Sequence, residues 1–151
     1  MKKILQSIHP DDDTHYEKMG LTRDKIELWE DAARTEGKKG EYEWWYFDSH
    51  YEDGTKLVII FFSKSPIEVN GPINPQATLE LTLPDGTSYS DYVYASIEDS
   101  YYANDKCDVR VGQSYITGDL KHYDMTISHR TVVNQIVLTH EGMTLVGQTN
   151  L

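Results

Sequence analysis

At 151 residues the chain is long enough to enclose one domain with a real core. Its net charge of −11 argues against nucleic acid and anionic membrane surfaces as partners, since both would repel it. A single cysteine, Cys107, excludes an internal disulfide and points to a reduced compartment.

Met1-Lys2-Lys3-Ile4-Leu5 opens like the basic start of a signal peptide. Gln6, Ser7, His9 and Asp11 to Asp13 then leave no apolar segment behind it. No apolar run nears the ~20 residues that a membrane helix needs, so a cytoplasmic location is the expectation. Asp11-Asp12-Asp13 reads as a solvated loop, because no further ligands accompany it for a metal. Residues 22–35 place Ile26, Trp29 and Ala33 at helical spacing, with Thr22 in front and Gly37-Lys38-Lys39-Gly40 behind. The expectation is an N-terminal arm over residues 1–40 with one helix near 22–35, and Trp29 as its packing anchor.

After Gly40 the pattern turns to strands. Residues 42–51 and 56–64 flank Asp53-Gly54, the signal of a two-residue hairpin loop. Residues 77–83 alternate through Leu79, Leu81 and Leu83, and Pro84-Asp85-Gly86 turns the chain into 88–95. Residues 107–111 and 114–117 flank Gly112-Gln113. Residues 122–128 and 132–139 form another hairpin, and 143–146 give a short last strand. These elements predict an all-β, antiparallel, lipocalin-like barrel of eight or nine strands over residues 41–151, with a two-sheet sandwich as the alternative.

The first hairpin carries Glu43-Trp44-Trp45-Tyr46-Phe47-Asp48, which holds two of the three tryptophans. A two-residue loop would set Trp44 opposite Ser63, Tyr46 opposite Phe61, Asp48 opposite Ile59 and His50 opposite Leu57 on one side. On the other side Glu43 would face Lys64, Trp45 Phe62 and Phe47 Ile60. Both sides are apolar, so the outside of the hairpin is expected to be covered by the helix, a second domain or another subunit. The Trp45 and Phe47 side reads as packing, closed by a Glu43–Lys64 pair. The Tyr46, Asp48 and His50 side mixes titratable groups with apolar neighbours and reads as the lining of a site. Beside that stands the plainer reading, in which Asp48 and His50 sit solvated or hydrogen-bonded near the hairpin mouth.

Later in the chain, Asp108 and Arg110 share a strand face and suggest a structural ion pair. Cys107 alternates with Val109 and Val111 as a small core residue. Tyr101, Tyr102, Tyr115 and Tyr123 either line a cavity or pack at strand edges. The six histidines lack zinc-site spacing, and no phosphate-binding loop or nucleophile elbow is present.

Ile26-Glu27-Leu28-Trp29-Glu30-Asp31, then Glu43 to Asp48, then Asp53-Gly54 with its apolar strand, resembles the hydroxyneurosporene synthase (carotenoid 1,2-hydratase) family. So does Cys107-Asp108-Val109-Arg110-Val111-Gly112 with Gly118-Asp119-Leu120 and Tyr123. That family looks related to tocopherol-cyclase-type and fungal pericyclase-type proteins. The resemblance runs from Ile26 to Tyr123. It implies two lipocalin-like halves with a hydrophobic substrate pocket at or between them, and neither metal nor organic cofactor. The chain corresponds to the first half only, so a C-terminal barrel or a homodimer is the expected complement.

The function so implied is a pocket for an isoprenoid, polyene or lipid-like small molecule, with acid-catalysed hydration (a lyase) or cyclisation (an isomerase) of an alkene. Protonating an isolated alkene needs a neutral carboxylic acid in an apolar cavity, and aromatic faces to stabilise the cation. Asp48 or Glu43 would be the acid and His50 would hold water. Trp44, Trp45, Tyr46, Phe61 and Tyr123 would line the substrate. The alternative is a non-catalytic lipocalin-like binding or structural domain.

Overall fold

A computed structural model describes residues 12–128 in full and two later strands by their backbone. The expectations for residues 1–11, 132 and 133 lie outside the described residues. The described elements are a helix α1 (Asp13–Met19), 3-10 turns at Leu28–Asp31 and Pro66–Glu68, and strands β1 (Trp44–His50), β2 (Lys56–Phe62), β3 (Gln76–Thr82) and β4 (Ser88–Tyr94). They continue with β5 (Ser100–Tyr102), β6 (Asp108–Val111), β7 (Ser114–Gly118), β8 (Tyr123–Thr126), β9 (Asn134–Thr139) and β10 (Gly142–Gly147). No described helix is long and apolar enough to cross a membrane.

The helix expected over residues 22–35 is absent. The α-helix lies earlier, where Asp12 caps α1 by accepting from the His15 N–H at 3.1 Å and Gly20 ends it at φ 71°. In the expected span only the 3-10 turn forms. Ile26 and Leu28 are exposed, and the Thr22 hydroxyl donates to the Lys25 carbonyl instead of capping a helix. Tertiary bonds take the chain over. Ala32 is buried, and the Ala33 N–H donates to the Ala103 carbonyl at 2.8 Å, which draws the arm out straight.

The strands form two antiparallel sheets, ordered β1-β2-β3-β4 and β10-β9-β8-β7-β6-β5. Among the described residues they do not close into one hydrogen-bonded ring. The sheets share a single core. Trp45, Leu57, Ile59, Phe61 and Ala77 from the first meet Cys107, Val109, Val111, Ile116, Met125 and Ile127 from the second. Trp45 stacks on Tyr102 of the facing sheet at 5.7 Å between ring centroids, and the Tyr102 hydroxyl donates to the Phe62 carbonyl. The expected β-rich, antiparallel architecture is thus present as two sheets, with one face of each turned inward.

The register of the first hairpin differs from expectation by one residue. Tyr51 N–H donates to the Thr55 carbonyl at 2.8 Å, so the loop has three residues, Glu52-Asp53-Gly54, with Gly54 at φ 92°. Pro84-Asp85-Gly86 repeats the device, with Leu83 N–H on the Thr87 carbonyl and Gly86 at φ 86°. In each loop the aspartate accepts from the threonine N–H two residues on, at 2.8 Å. The extra loop residue moves every partner. Trp44 faces Phe62, Trp45 Phe61, Tyr46 Ile60, Phe47 Ile59, Asp48 Val58, Ser49 Leu57 and His50 Lys56.

The Glu43–Lys64 pair does not form. Lys64 is fully buried, and its ammonium donates to the carbonyls of Gly37 (2.8 Å), Lys38 (2.8 Å) and Gly71 (3.1 Å). All three protons are thereby satisfied. Glu43 turns the other way and accepts from the N–H groups of Arg34 (3.0 Å) and Thr35 (2.8 Å).

Candidate ligand-binding face

The outer face of the first sheet follows from the register. Trp44, Phe62, Gln76 and Tyr94 make one row across the four strands, and Tyr46, Ile60, Thr78 and Tyr92 make the next. Trp44, Tyr46, Tyr92 and Tyr94 are each 51–61% exposed, whereas Phe62, Gln76 and Thr78 between them are buried. The result is a shallow trough. Its aromatic walls stand on the edge strands β1 and β4, three strand spacings or about 14 Å apart. Its floor is apolar apart from Gln76 and Thr78. Trp44 is steadied by Phe62 at 6.2 Å and by the edge of Tyr42 at 6.1 Å. The rows beyond are polar. Asp48, Val58, Glu80 and Ser90 are followed by His50, Lys56, Thr82 and Ser88. The face therefore has an aromatic half and a charged half.

The expected catalytic groups occupy wet or structural positions. Asp48 is about half exposed, beside Val58 and not Ile59, and pairs with the exposed His50 at 3.5 Å. It lacks the dry surround that a proton donor to carbon requires. Glu43 is committed to the backbone of Arg34 and Thr35. Asp48 and His50 thus stand exposed in the polar rows near the hairpin loop.

The expected binding residues split between two places. Trp44 and Tyr46 reach the trough. Trp45, Phe61 and Tyr123 belong to the interior, where Phe61 has no exposed surface. Ile59, Ala77, Val109, Val111 and Ile116 are equally closed, so among the described residues side chains fill the space around them between the sheets.

One interior junction was not foreseen, because Asp31 was read as part of a helix. Its side chain accepts from the Tyr123 hydroxyl at 2.6 Å, and its carbonyl accepts from the Trp45 indole N–H at 3.0 Å. Phe47 packs on Tyr123 at 5.5 Å. Burial, reinforced by the bond to Asp31 and its charge, raises the Tyr123 phenol above its usual range. Burial also pushes the Cys107 thiol up to about 12, with Asp31 and Asp108 adding to it. Asp31, Trp45, Phe47, Cys107 and Tyr123 meet at this junction. Here they tie the N-terminal arm to both sheets.

Among the described residues no three His, Cys, Asp or Glu side chains are grouped to hold a metal ion. Comparisons with protein-family models, with curated proteins and with solved structures find no match to this chain.

Proposed function

We propose that this chain is a binding domain for an elongated apolar small molecule of the isoprenoid, polyene or lipid-like class, which lies in the trough on the outer face of the first sheet. One observation carries the reading. Among the described residues the core side chains between the sheets are closed to solvent, while two pairs of exposed aromatic side chains outside flank a floor of Phe62, Ile60, Gln76 and Thr78. A lipocalin-like domain would hold such a ligand in its lumen; among the described residues the inner positions Ile59, Phe61, Val109, Val111 and Ile116 are closed, so the ligand takes the face. Flat aromatic walls suit a conjugated or branched hydrocarbon chain, and the charged rows suit its polar end. The family resemblance supports the ligand class. A second subunit or a C-terminal domain laid over the trough would complete the pocket. Hydration or cyclisation would require that cover to dry the surroundings of Asp48, so on this chain alone the reading is non-catalytic.

The test is titration with all-trans-retinol, read by quenching of tryptophan fluorescence. Wild type should bind. Trp44→Ala/Tyr46→Ala and Tyr92→Ala/Tyr94→Ala should each weaken binding by about 10-fold or more, a loss of about 1.4 kcal/mol. Unchanged affinity in both double variants, or no binding by wild type, would refute the proposal.

A further inference from the structure

The second sheet presents a different hollow on the far side of the molecule. It is a shallow depression lined by Glu98, Asp99, Ser100, Tyr101, Arg110 and Gln113, with a volume of about 660 Å³, and it is broadly open to solvent. Two turns build it. In the first, Ser96 accepts from the Asp99 N–H at 3.2 Å and donates to the Asp99 carboxylate at 2.9 Å, and Ser100 N–H closes on the Ile97 carbonyl at 3.1 Å. The second is the Gly112-Gln113 hairpin loop, with Gly112 at φ 60°. One backbone bond, Gly112 N–H to the Asp99 carbonyl at 2.9 Å, joins the two turns. The hollow is therefore set before any ligand arrives.

Two of its charges are unspent. Arg110 was expected to pair with Asp108, and no such pair forms. Arg23 bonds Asp13 at 3.1 Å, and Arg34 lies over the Trp29 ring at 4.6 Å. Among the described residues, the Arg110 side chain makes no hydrogen bond, ion pair or ring contact. Its position in the sheet is fixed all the same. Tyr101 of β5 pairs it on one side and Tyr115 of β7 on the other. Glu98, at the tip of the first turn, likewise makes no side-chain hydrogen bond or ion pair among the described residues. Asp99 is spent on Ser96. The hollow thus offers one open guanidinium and one open carboxylate that do not meet within ion-pair distance. The Tyr101 ring lies beside them, 52% exposed.

We infer that this hollow binds a small zwitterion, with the ligand's carboxylate on Arg110, its ammonium on Glu98 and a flat side chain against Tyr101. An α-amino acid with an aromatic side chain is the simplest molecule of that kind. The guanidinium fork matches a carboxylate in two parallel hydrogen bonds. A simple anion would meet Glu98, and a simple cation would meet Arg110. A polyanion such as a nucleotide would meet Glu98, Asp99 and a net charge of −11 besides.

Nitrogen-15 NMR titration of the whole chain tests this with three probes. L-phenylalanine carries both charges, 3-phenylpropionate lacks the ammonium and phenethylamine lacks the carboxylate. L-phenylalanine should shift the amides of residues 98–101 and 110–113 and bind about 10-fold or more tightly than either analogue. Arg110→Gln and Glu98→Gln alter exposed side chains, and each should remove that advantage while leaving the rest of the spectrum in place. Equal affinity for the three probes, no shift at these amides, or unchanged preference in either variant would overturn the assignment. The mapped amides lie on the second sheet, so the outcome is separate from that of the trough.

Discussion

The two faces of β1 are made of the same kinds of residue and do opposite work. Trp45 and Phe47 point between the sheets, where Trp45 stacks on Tyr102 and Phe47 packs at a tilt on Tyr123. Trp44 and Tyr46, one residue away in each case, point outward and stay half exposed. Both faces are aromatic, so composition does not distinguish them. What distinguishes them is the presence of an opposing layer. The inner face has the second sheet against it, and among the described residues the outer face has only its own edge residues. Aromatic surface left open in this way is costly to keep in water, and it marks the place where something else can lie down.

Substitution should separate the faces sharply. Phe61→Ala, on the inner row with Trp45, should destabilise by about 3–5 kcal/mol through the cavity it leaves. Trp44→Ala/Tyr46→Ala should change stability by about 0.5 kcal/mol per site or less, because those side chains already lie largely in water. Urea unfolding measures both. Equal losses would show the outer aromatics to be structural and would end the comparison.

A smaller effect is expected at the two Asp-Gly-Thr loops at the polar end of the first sheet. Asp53 and Asp85 are held below the ordinary carboxylate value of 3.8, chiefly by the N–H groups of Thr55 and Thr87. A folded pKa below the unfolded one stabilises above the unfolded value, and the benefit is lost as pH falls through the lowered folded values. Asn in place of Asp keeps the accepting oxygen and removes the titration. The urea midpoint of Asp53→Asn/Asp85→Asn should therefore decline less than that of wild type between about pH 5 and the lowest pH at which the chain stays soluble. An identical decline would show that the loops contribute nothing to acid sensitivity.

Most of the strand plan is legible in the sequence, because alternation and turn residues are local. The 77–83 and 88–95 hairpin, the Gly112-Gln113 turn and the separation of Trp45 and Phe47 from Trp44 and Tyr46 all follow from period-2 spacing. Three features are not legible. The loop at Asp53-Gly54 has three residues, because Glu52 joins it, and loop length depends on strand twist as well as on the dipeptide. The arm over residues 22–35 is straightened by bonds to Ala103, Glu43 and Tyr123, which are distant in sequence. β5 is too short to show alternation. The site residues divided for the same reason. Spacing tells which side chains share a face, and only the second sheet tells which face is covered.

The bond between Asp31 and Tyr123 joins positions 92 apart in the chain. Closing so long a loop costs entropy that is recovered only when both sheets are already side by side. The latch should therefore form after the folding transition state, and its free energy should appear almost wholly in the rate of unfolding. In a chevron plot, Tyr123→Phe should raise the unfolding limb and leave the folding limb where it is. The arm then acts as a brake on opening with no part in starting the fold, and the lifetime of the folded domain can be tuned at one hydroxyl without disturbing how fast it is made.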